Sequence, residues 1–231
     1  SDVTRIFNLK LDGAEADIIA IDGHPVPERM PLDMVVISPG QRLDLAVRMP
    51  DSEGGVATLA DIRPSTPKAV ASLRSVGTSL KRDLGDLGPL AENAGVDIDM
   101  ANATEIPLLL SATAENAGKD SICGTLGYSF WAINKKPWPG DSADPMDPIA
   151  ELKLGKSYIF NVENVTPHAH PIHLHGMFTQ LENGQMPADR PNKHTVIVPP
   201  GKTVSVLLTA NEAGKWPFHC HLLYHMASGM M

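Results

Sequence analysis

The chain has 231 residues, 42% of them apolar, which is enough to bury a hydrophobic core and to form one large or two modest domains. Its formal net charge of −8 arises from acids and bases mixed along the whole length, without the clusters of Lys and Arg that bind phosphates. No apolar run approaches the roughly 18 residues of a membrane-spanning helix, so the sequence predicts neither a nucleic-acid partner nor a membrane span.

Short runs rich in Val, Ile and Leu predict β-strands along the chain. The clearest of these runs lie at 17–21, 35–38, 43–47, 106–110 and 158–162. Turn signals such as Asp22-Gly23 and Pro39-Gly40 separate the runs at spacings that favour an all-β sandwich over alternating strands and helices.

The strand pattern also predicts a division of the chain into three parts. Residues 1–61 hold only three or four candidate strands, which is about half a sandwich domain. Residues 62–104 are richer in Pro, Gly, Ser, Asp and Asn, as expected of a connector. Residues 105–231 have enough candidate strands for one complete sandwich domain.

Seven of the nine histidines fall in two short segments near the carboxyl end. The first segment, HAHPIHLHG, runs from His168 to Gly176, and the second, HCHLLYHMASGMM, runs from His219 to Met231. Isolated histidines such as His24 and His194 are expected to be core residues with satisfied hydrogen bonds. Seven clustered imidazoles indicate metal ligation instead.

Side chains alternate along a strand, so Cys220 faces one side and its two flanking histidines face the other. On the Cys220 side, His225 and Met230 follow at equal steps of five residues, and the more distant His170 can complete a set of four. Two imidazoles, a thiolate and a weak thioether are the ligands of a blue electron-transfer copper site. Structural zinc sites use four strong ligands, so copper is favoured over zinc.

The opposite face of the same tripeptide predicts a second metal site. His219 and His221 would meet His173 and His175, which share one side of their own strand by the same alternation. Four converging imidazoles without a metal would leave buried polar nitrogens unsatisfied. A second copper site is therefore the expected occupant of this face.

These segments carry a family resemblance. HPIHLHG and HCHLLYHMASGM resemble the two carboxy-terminal copper-binding signatures of the multicopper oxidases, the family of laccases, ascorbate oxidase and bacterial copper-resistance oxidases. KHTVIVPPG, GKWPFHCHLLYHM and FWAINKKPWPG are most similar to the bacterial copper-resistance branch. The resemblance is strong over 125–231. It is weaker over 1–61, where DIIAIDGHPV and VVISPGQRLDLAV resemble the end of the family's middle domain. It implies a cupredoxin-like Greek-key β-sandwich, preceded by a partial second cupredoxin-like domain.

The resemblance also implies a role for each clustered residue. A type 1 copper would be held by His170, Cys220, His225 and Met230, a type 2 copper by His173, and a type 3 pair by His175, His219 and His221. The type 1 site would take single electrons from phenolic, amine or metal-ion reductants at the edge of His225. Electrons would pass through Cys220 and its flanking histidines to the type 2 and type 3 site, where dioxygen is reduced to water. A periplasmic or extracellular location follows from the resemblance alone.

One departure from the family limits this function. In the family that this sequence resembles, eight histidines hold the type 2 and type 3 coppers. This sequence supplies four of them. The resemblance therefore implies a complete type 1 site and a partial type 2 and type 3 site. Dioxygen reduction is expected to need an amino-terminal domain or a second chain, with this chain a fragment or a split product. The alternative is a non-catalytic type 1 copper electron-transfer or copper-binding module.

Several other residues carry weaker expectations. His168 fits no ligand position and should lie beside the site or in solvent. Cys123 is expected to be a small buried or loop thiol, and no internal disulfide is predicted. The loop 177–193 either is a solvated surface loop or borders the path of the substrate through Glu182, Met186 or Asp189.

Overall fold

The computed structural model describes residues 3–82, 85, 88–91, 93, 97–112, 130–139, 147–182 and 192–231. Those ranges contain fifteen β-strands and one short α-helix, which confirms the all-β prediction. Within them, no helix is long and apolar enough to cross a membrane. Cys123, Met186 and Asp189, for which the sequence made predictions, lie outside the described residues.

Seven strands form two antiparallel sheets in the first half of the chain. They are β1 (Phe7–Asp12), β2 (Glu15–Ile21), β3 (His24–Pro31), β4 (Met34–Ile37), β5 (Leu43–Arg48), β6 (Val56–Asp61) and β7 (Lys68–Arg74). One sheet has the strand order β4-β1-β6-β7 and the other has the order β3-β2-β5. Ile18, Ile21, Val26 and Val35 form the buried core of this half.

The first half holds more strands than the sequence predicted. Six strands lie within residues 1–61, so the expectation of three or four was wrong. Strand β3 escapes the pattern because three of its eight residues are prolines, which a strand tolerates at the edge of a sheet. Strand β7 lies inside the predicted connector, is exposed along its whole length and pairs with β6. The proposed limits of the three parts stay predictions.

Eight strands of the second half form a β-sandwich. They are β8 (Thr104–Ser111), β9 (Ala132–Ile133), β10 (Ser157–Asn164), β11 (His170–Leu174), β12 (Gln180–Leu181), β13 (Thr195–Val198), β14 (Thr203–Thr209) and β15 (Phe218–Cys220). The larger sheet has the order β12-β14-β10-β8-β9 and the smaller has the order β13-β11-β15. Leu108, Val162 and Leu208 from the larger sheet share one buried core with Ile172 and Val198 from the smaller.

The smaller sheet brings the two histidine segments together. Antiparallel pairing of β11 with β15 sets His173 opposite His219, and pairing of β11 with β13 sets Thr195 opposite His173 on the other side. After β15 the chain turns through a single short helix, α1 (Leu223–Ala227). Two segments that are distant in sequence therefore share one end of the sandwich.

Candidate metal centres

Three buried side chains, His170, Cys220 and His225, converge in the core of the sandwich. The Sγ atom of Cys220 lies 3.7 Å from Nδ1 of His170 and 3.6 Å from Nδ1 of His225. The two Nδ1 atoms are 3.0 Å apart. One metal ion with ligand bonds of about 2.0 to 2.3 Å fits between atoms at these separations. The structure thus brings together three of the four residues predicted for the type 1 site.

Met230, the fourth of these residues, is fully buried in the same core. Its amide donates to the carbonyl oxygen of His225, and its own carbonyl oxygen accepts the amide of Cys220, both at 3.0 Å. These two backbone bonds close the turn that follows β15, so that Cys220, His225 and Met230 are held as one unit. The assignment of Met230 as a metal ligand stays a prediction.

The ring orientation of His170 is set by a buried hydroxyl. Thr166 donates its hydroxyl proton to Oδ1 of Asn164 at 2.8 Å, so the hydroxyl oxygen accepts from Nε2 of His170, also at 2.8 Å. With the proton on Nε2, Nδ1 of His170 carries the free lone pair that faces Cys220. Asn164 is itself fully buried and donates to the carbonyl oxygen of His168 at 2.7 Å.

Aromatic side chains pack over the first cluster. The ring of Trp131 is 7% exposed and lies 4.9 Å from the ring of His170 and 4.4 Å from that of His225. Tyr224 contacts the ring of His225 at 4.5 Å. His168 is exposed, with its ring 5.7 Å from that of Trp131, as expected of a residue beside the site. Trp131 was missed as a site residue, although the aromatic pair in FWAIN marked the segment.

Burial sets the charges of the first cluster. It lowers the pKa of His170 to about 3 and that of His225 to about 4, so both imidazoles are neutral near pH 7. Burial also raises the pKa of the Cys220 thiol to about 12. The imidazoles are therefore ready to ligate, whereas the thiol must release a proton when a metal binds.

The second cluster consists of His173, His175 and His219, whose ligating nitrogens all lie within 4.8 Å of one another. Nδ1 of His173 donates to the carbonyl oxygen of His194 at 2.6 Å, and Nδ1 of His219 donates to that of Cys220 at 2.9 Å. Because carbonyl oxygens only accept, Nε2 of both rings carries a free lone pair. Nε2 of His219 lies 3.0 Å from Nε2 of His175, a separation that suits two ligands of one ion.

His221, the remaining predicted ligand, lies at the border of this cluster. It is partly exposed, and its ring lies 5.6 Å from that of His219 and 5.8 Å from that of His173. Burial is the main cause that lowers the pKa of His173, to about 3, and the pKa values of His175 and His219. The rings of His173, His175 and His219 are therefore kept neutral near pH 7, as metal ligation requires.

His194 belongs to the site, contrary to the expectation of an isolated core residue. Its ring stacks on that of His173 at 3.8 Å, with an angle of 24° between the planes. The alternation of side chains along a single strand cannot predict this contact, because the contact depends on the register between β11 and β13. His24, in contrast, is buried, packs against Phe178 and accepts from Asn93 at 3.3 Å, as expected of a core histidine.

Acidification is expected to destabilise the metal-free chain. The folded chain keeps His170, His173 and His225 unprotonated at pH 5 because their pKa values are about 3 to 4, while the unfolded chain protonates them below about pH 6.5. Unfolding thus takes up protons between about pH 6.5 and 4, and the free energy of unfolding falls as the pH falls through that window. Urea denaturation at several pH values measures this slope.

A pair of variants isolates the contribution of the buried imidazoles. His225→Gln removes one buried imidazole and should flatten the pH dependence of the free energy of unfolding, whereas Val76→Gln changes an uncharged, highly exposed side chain and should leave that dependence unchanged. A free energy of unfolding that stays constant between about pH 7.5 and 5 would contradict the burial of neutral imidazoles.

Comparisons with known proteins agree with this site chemistry. Residues 105–231 match a family model described as multicopper oxidase. The chain is 48% identical to copper resistance protein A of Escherichia coli over a match of 81 residues. That match covers 34% of this chain and 13% of that protein. It is 28% identical to the multicopper oxidase MmcO of Mycobacterium tuberculosis, over 97% of this chain and 42% of that protein.

A solved structure gives the same result for the fold. The chain is similar to a multi-copper oxidase from Pseudomonas thermotolerans, with a TM-score of 0.82 and 30% identity over 99% of this chain and 51% of that one. The likeness confirms the cupredoxin-like sandwich predicted from the sequence. The chain spans about half the length of that oxidase and less of the two curated relatives.

Proposed function

Because the chain belongs to the multicopper oxidase family, we propose that it forms the part of a laccase-like oxidase that accepts single electrons and delivers them towards dioxygen reduction. One observation carries the proposal: Cys220 belongs to one cluster, and the adjacent His219 belongs to the other. Storage of copper does not need ligands of two sites on adjacent residues. Transfer of electrons between two metal sites does benefit from such a short connection.

The proposal assigns the clustered residues to two kinds of copper site. His170, Cys220, His225 and Met230 would hold the type 1 copper, His173 the type 2 copper, and His175, His219 and His221 the type 3 pair. Copper bound there would supply one-electron redox chemistry at the first cluster and reduction of dioxygen at the second. The donor set fits copper, because a buried thiol with two neutral imidazoles and a thioether favours a soft metal ion.

The protein residues contribute orientation, proton release and exclusion of water. The Thr166 hydroxyl holds His170 with Nδ1 free, and the thiol proton of Cys220 leaves when the metal binds. The Trp131 ring covers both imidazoles of the first cluster, so the site stays largely dry. A dry and prearranged site limits solvent reorganisation when the charge of the metal changes.

Cys220 connects the two clusters through covalent bonds. Its peptide bonds join it directly to His219 and His221. Its carbonyl oxygen also accepts from Nδ1 of His219 at 2.9 Å, which adds a hydrogen-bonded connection between the thiol residue and the second cluster. We propose that phenolic, amine or metal-ion reductants donate electrons near His225. These electrons would then travel along the connections to the second cluster.

The second cluster would be completed by residues outside this chain. Family resemblance implies eight histidines, four of which are His173, His175, His219 and His221. We propose that an amino-terminal domain or a second chain supplies the other four, and that this chain alone does not reduce dioxygen. The proposed parts are 1–61, 62–104 and 105–231, and the proposed location is periplasmic or extracellular, as the resemblance implies.

Copper loading of the purified chain tests the proposed function. The chain is loaded with Cu(II), bound copper is counted, and visible absorption, electron paramagnetic resonance and oxygen uptake with a phenolic reductant are recorded. We expect an intense blue band and no oxygen uptake by the chain alone. Addition of the domain or chain that carries the other four histidines is expected to produce oxygen uptake.

Other outcomes would redirect the proposal. A blue band without oxygen uptake after that addition would favour the electron-transfer module. Copper binding without an intense blue band would contradict the type 1 site, because thiolate ligation is the origin of that band. Sustained oxygen uptake by the chain alone would show that the second cluster needs no outside ligands.

A further inference from the structure

Two turns from the first half of the chain contact the start of β13, next to the second cluster. One turn, Asp22 and Gly23, joins β2 to β3, and the other, Ser38 to Gln41, joins β4 to β5. Asp22 and Ser38 are almost fully buried, although neither lies in a core of apolar residues. The side chains of Asp22 and Ser38 therefore face other parts of the protein rather than solvent.

Asp22 binds the backbone on both sides of His194. Its Oδ2 atom accepts the amide of His194 at 2.9 Å and that of Thr195 at 3.3 Å. Its Oδ1 atom accepts the amide of Arg42 at 2.8 Å, while the Arg42 side chain donates to the Asp22 carbonyl oxygen at 2.7 Å. The Asp22 carboxylate is thus bonded to Arg42 in the first half of the chain, and it also binds the backbone amides of His194 and Thr195 in the second half.

The residue that Asp22 holds is the one that orients His173. The carbonyl oxygen of His194 accepts Nδ1 of His173 at 2.6 Å, and the two rings are stacked. This bond keeps the proton on Nδ1 and leaves Nε2 free towards the second cluster. A short path of hydrogen bonds therefore runs from Asp22 through the His194 backbone to a predicted copper ligand.

Gly40 supports His221 in a different manner. A Cβ atom on Gly40 would lie 2.6 Å from Cδ2 of His221 and 2.7 Å from Oγ1 of Thr195, so the imidazole rests on bare backbone. Gly40 also has a φ of +80°, which favours glycine. The neighbouring Gln41 side chain donates to the Thr195 carbonyl oxygen at 3.3 Å.

We propose that Asp22 is a positioning residue for His173 and that these two turns prearrange the second metal site. The identity of the metal rests on the proposed function, whereas the positioning of the ring does not. The first cluster is oriented instead by Asn164 and Thr166, within the second half. Loss of the Asp22 carboxylate should therefore affect the second site and spare the first.

The sharpest variant is Asp22→Asn. Asparagine tolerates the positive φ of 52° at this position and keeps one acceptor oxygen, so the turn should persist while one of the two acceptor positions becomes a donor. The matched control is Asp44→Asn, the same chemical change at an exposed carboxylate opposite Ala20 in the same small sheet. Both variants are made in the full chain.

The first measurement uses the metal-free chain. Proton NMR follows hydrogen exchange of the imidazole Nδ1–H of His173, identified by its loss in His173→Gln. We expect exchange to accelerate about tenfold in Asp22→Asn, as for the loss of one hydrogen bond to a charged group, and to stay unchanged in Asp44→Asn. Unchanged exchange in Asp22→Asn, or an equal change in both variants, would overturn the proposal.

The second measurement uses Cu(II) as the probe. We expect Asp22→Asn to weaken copper binding at the second cluster about 10- to 100-fold, as is usual for residues that orient a ligand, with the blue band unchanged. Loss of the blue band as well would indicate general disruption and overturn the specific role. If the unmodified chain alone binds no copper at the second cluster, which the incomplete cluster of the proposed function allows, the exchange measurement by itself decides the positioning role.

Gly40→Ala tests the support of His221 independently. We expect weaker copper binding at the second cluster with the blue band intact. Gly54→Ala is the control, because Gly54 has nearly the same φ, +79°, and no atom within 4 Å of an added Cβ. Equal effects of the two alanines would mean that backbone strain alone is responsible and would overturn the role of Gly40.

Discussion

Replacement of Cys220 by serine is expected to abolish the intense visible absorption of the copper-loaded chain. In the proposed site the Cys220 thiolate would be the soft ligand of the first cluster, and a serine hydroxyl at the same position is a poor ligand for Cu(I) and gives no thiolate-to-copper band. Cys220 is fully buried and serine is slightly smaller, so the fold should persist at a cost of about 1 to 3 kcal/mol for the buried hydroxyl. Absorption, electron paramagnetic resonance and a copper count measure the change.

The second cysteine of the chain provides the matched control. Cys123→Ser makes the same chemical change elsewhere in the sequence and is expected to leave the band at full intensity. Retention of the band in Cys220→Ser, or its loss in Cys123→Ser, would show that the thiolate has been assigned to the wrong residue.

Replacement of His219 by alanine is expected to have the opposite effect, with the blue band kept and the second metal lost. His219 is next to Cys220 in sequence, but its Nε2 atom lies 3.0 Å from Nε2 of His175 in the second cluster. Removal of a residue that merely orients a ligand weakens metal binding about 10- to 100-fold, so removal of a ligand should weaken it further. Copper titration monitored by electron paramagnetic resonance separates the two sites.

His168→Ala controls for loss of an imidazole near the copper segments. This histidine is exposed and lies beside Trp131, so its loss should leave both copper populations intact. If His219→Ala bleached the blue band and spared the second copper, the assignment of the two faces would be wrong.

Much of the candidate site could be predicted from the sequence because it depends on local geometry. Alternation along one strand separates Cys220 from His219, whatever the rest of the fold does. The clustering of histidines in two segments marked both sites, and the structure places His170 and His225 around Cys220 as that pattern indicated. The all-β class followed from short apolar runs and turn signals, and β2, β5 and β10 lie where those runs predicted strands.

Other features were missed because they depend on packing between distant segments. Trp131 covers His170 and His225 from a part of the chain about 40 residues or more away, and no periodicity links the three. The extra strands of the first half were missed because edge positions tolerate the prolines of β3 and the fully exposed side chains of β7.

The sequence by itself determined the types of the candidate metal ligands, their division between two faces of a strand, and the class of fold, because all three are set by residue identity and strand period. Only the tertiary structure decided which residues orient those ligands. His194 stacks on His173 through the register of two strands, and Asp22 reaches the same loop from the other half of the chain. Such contacts join residues apart in sequence: the first forms only when β11 pairs with β13, and the second only when the two halves pack together.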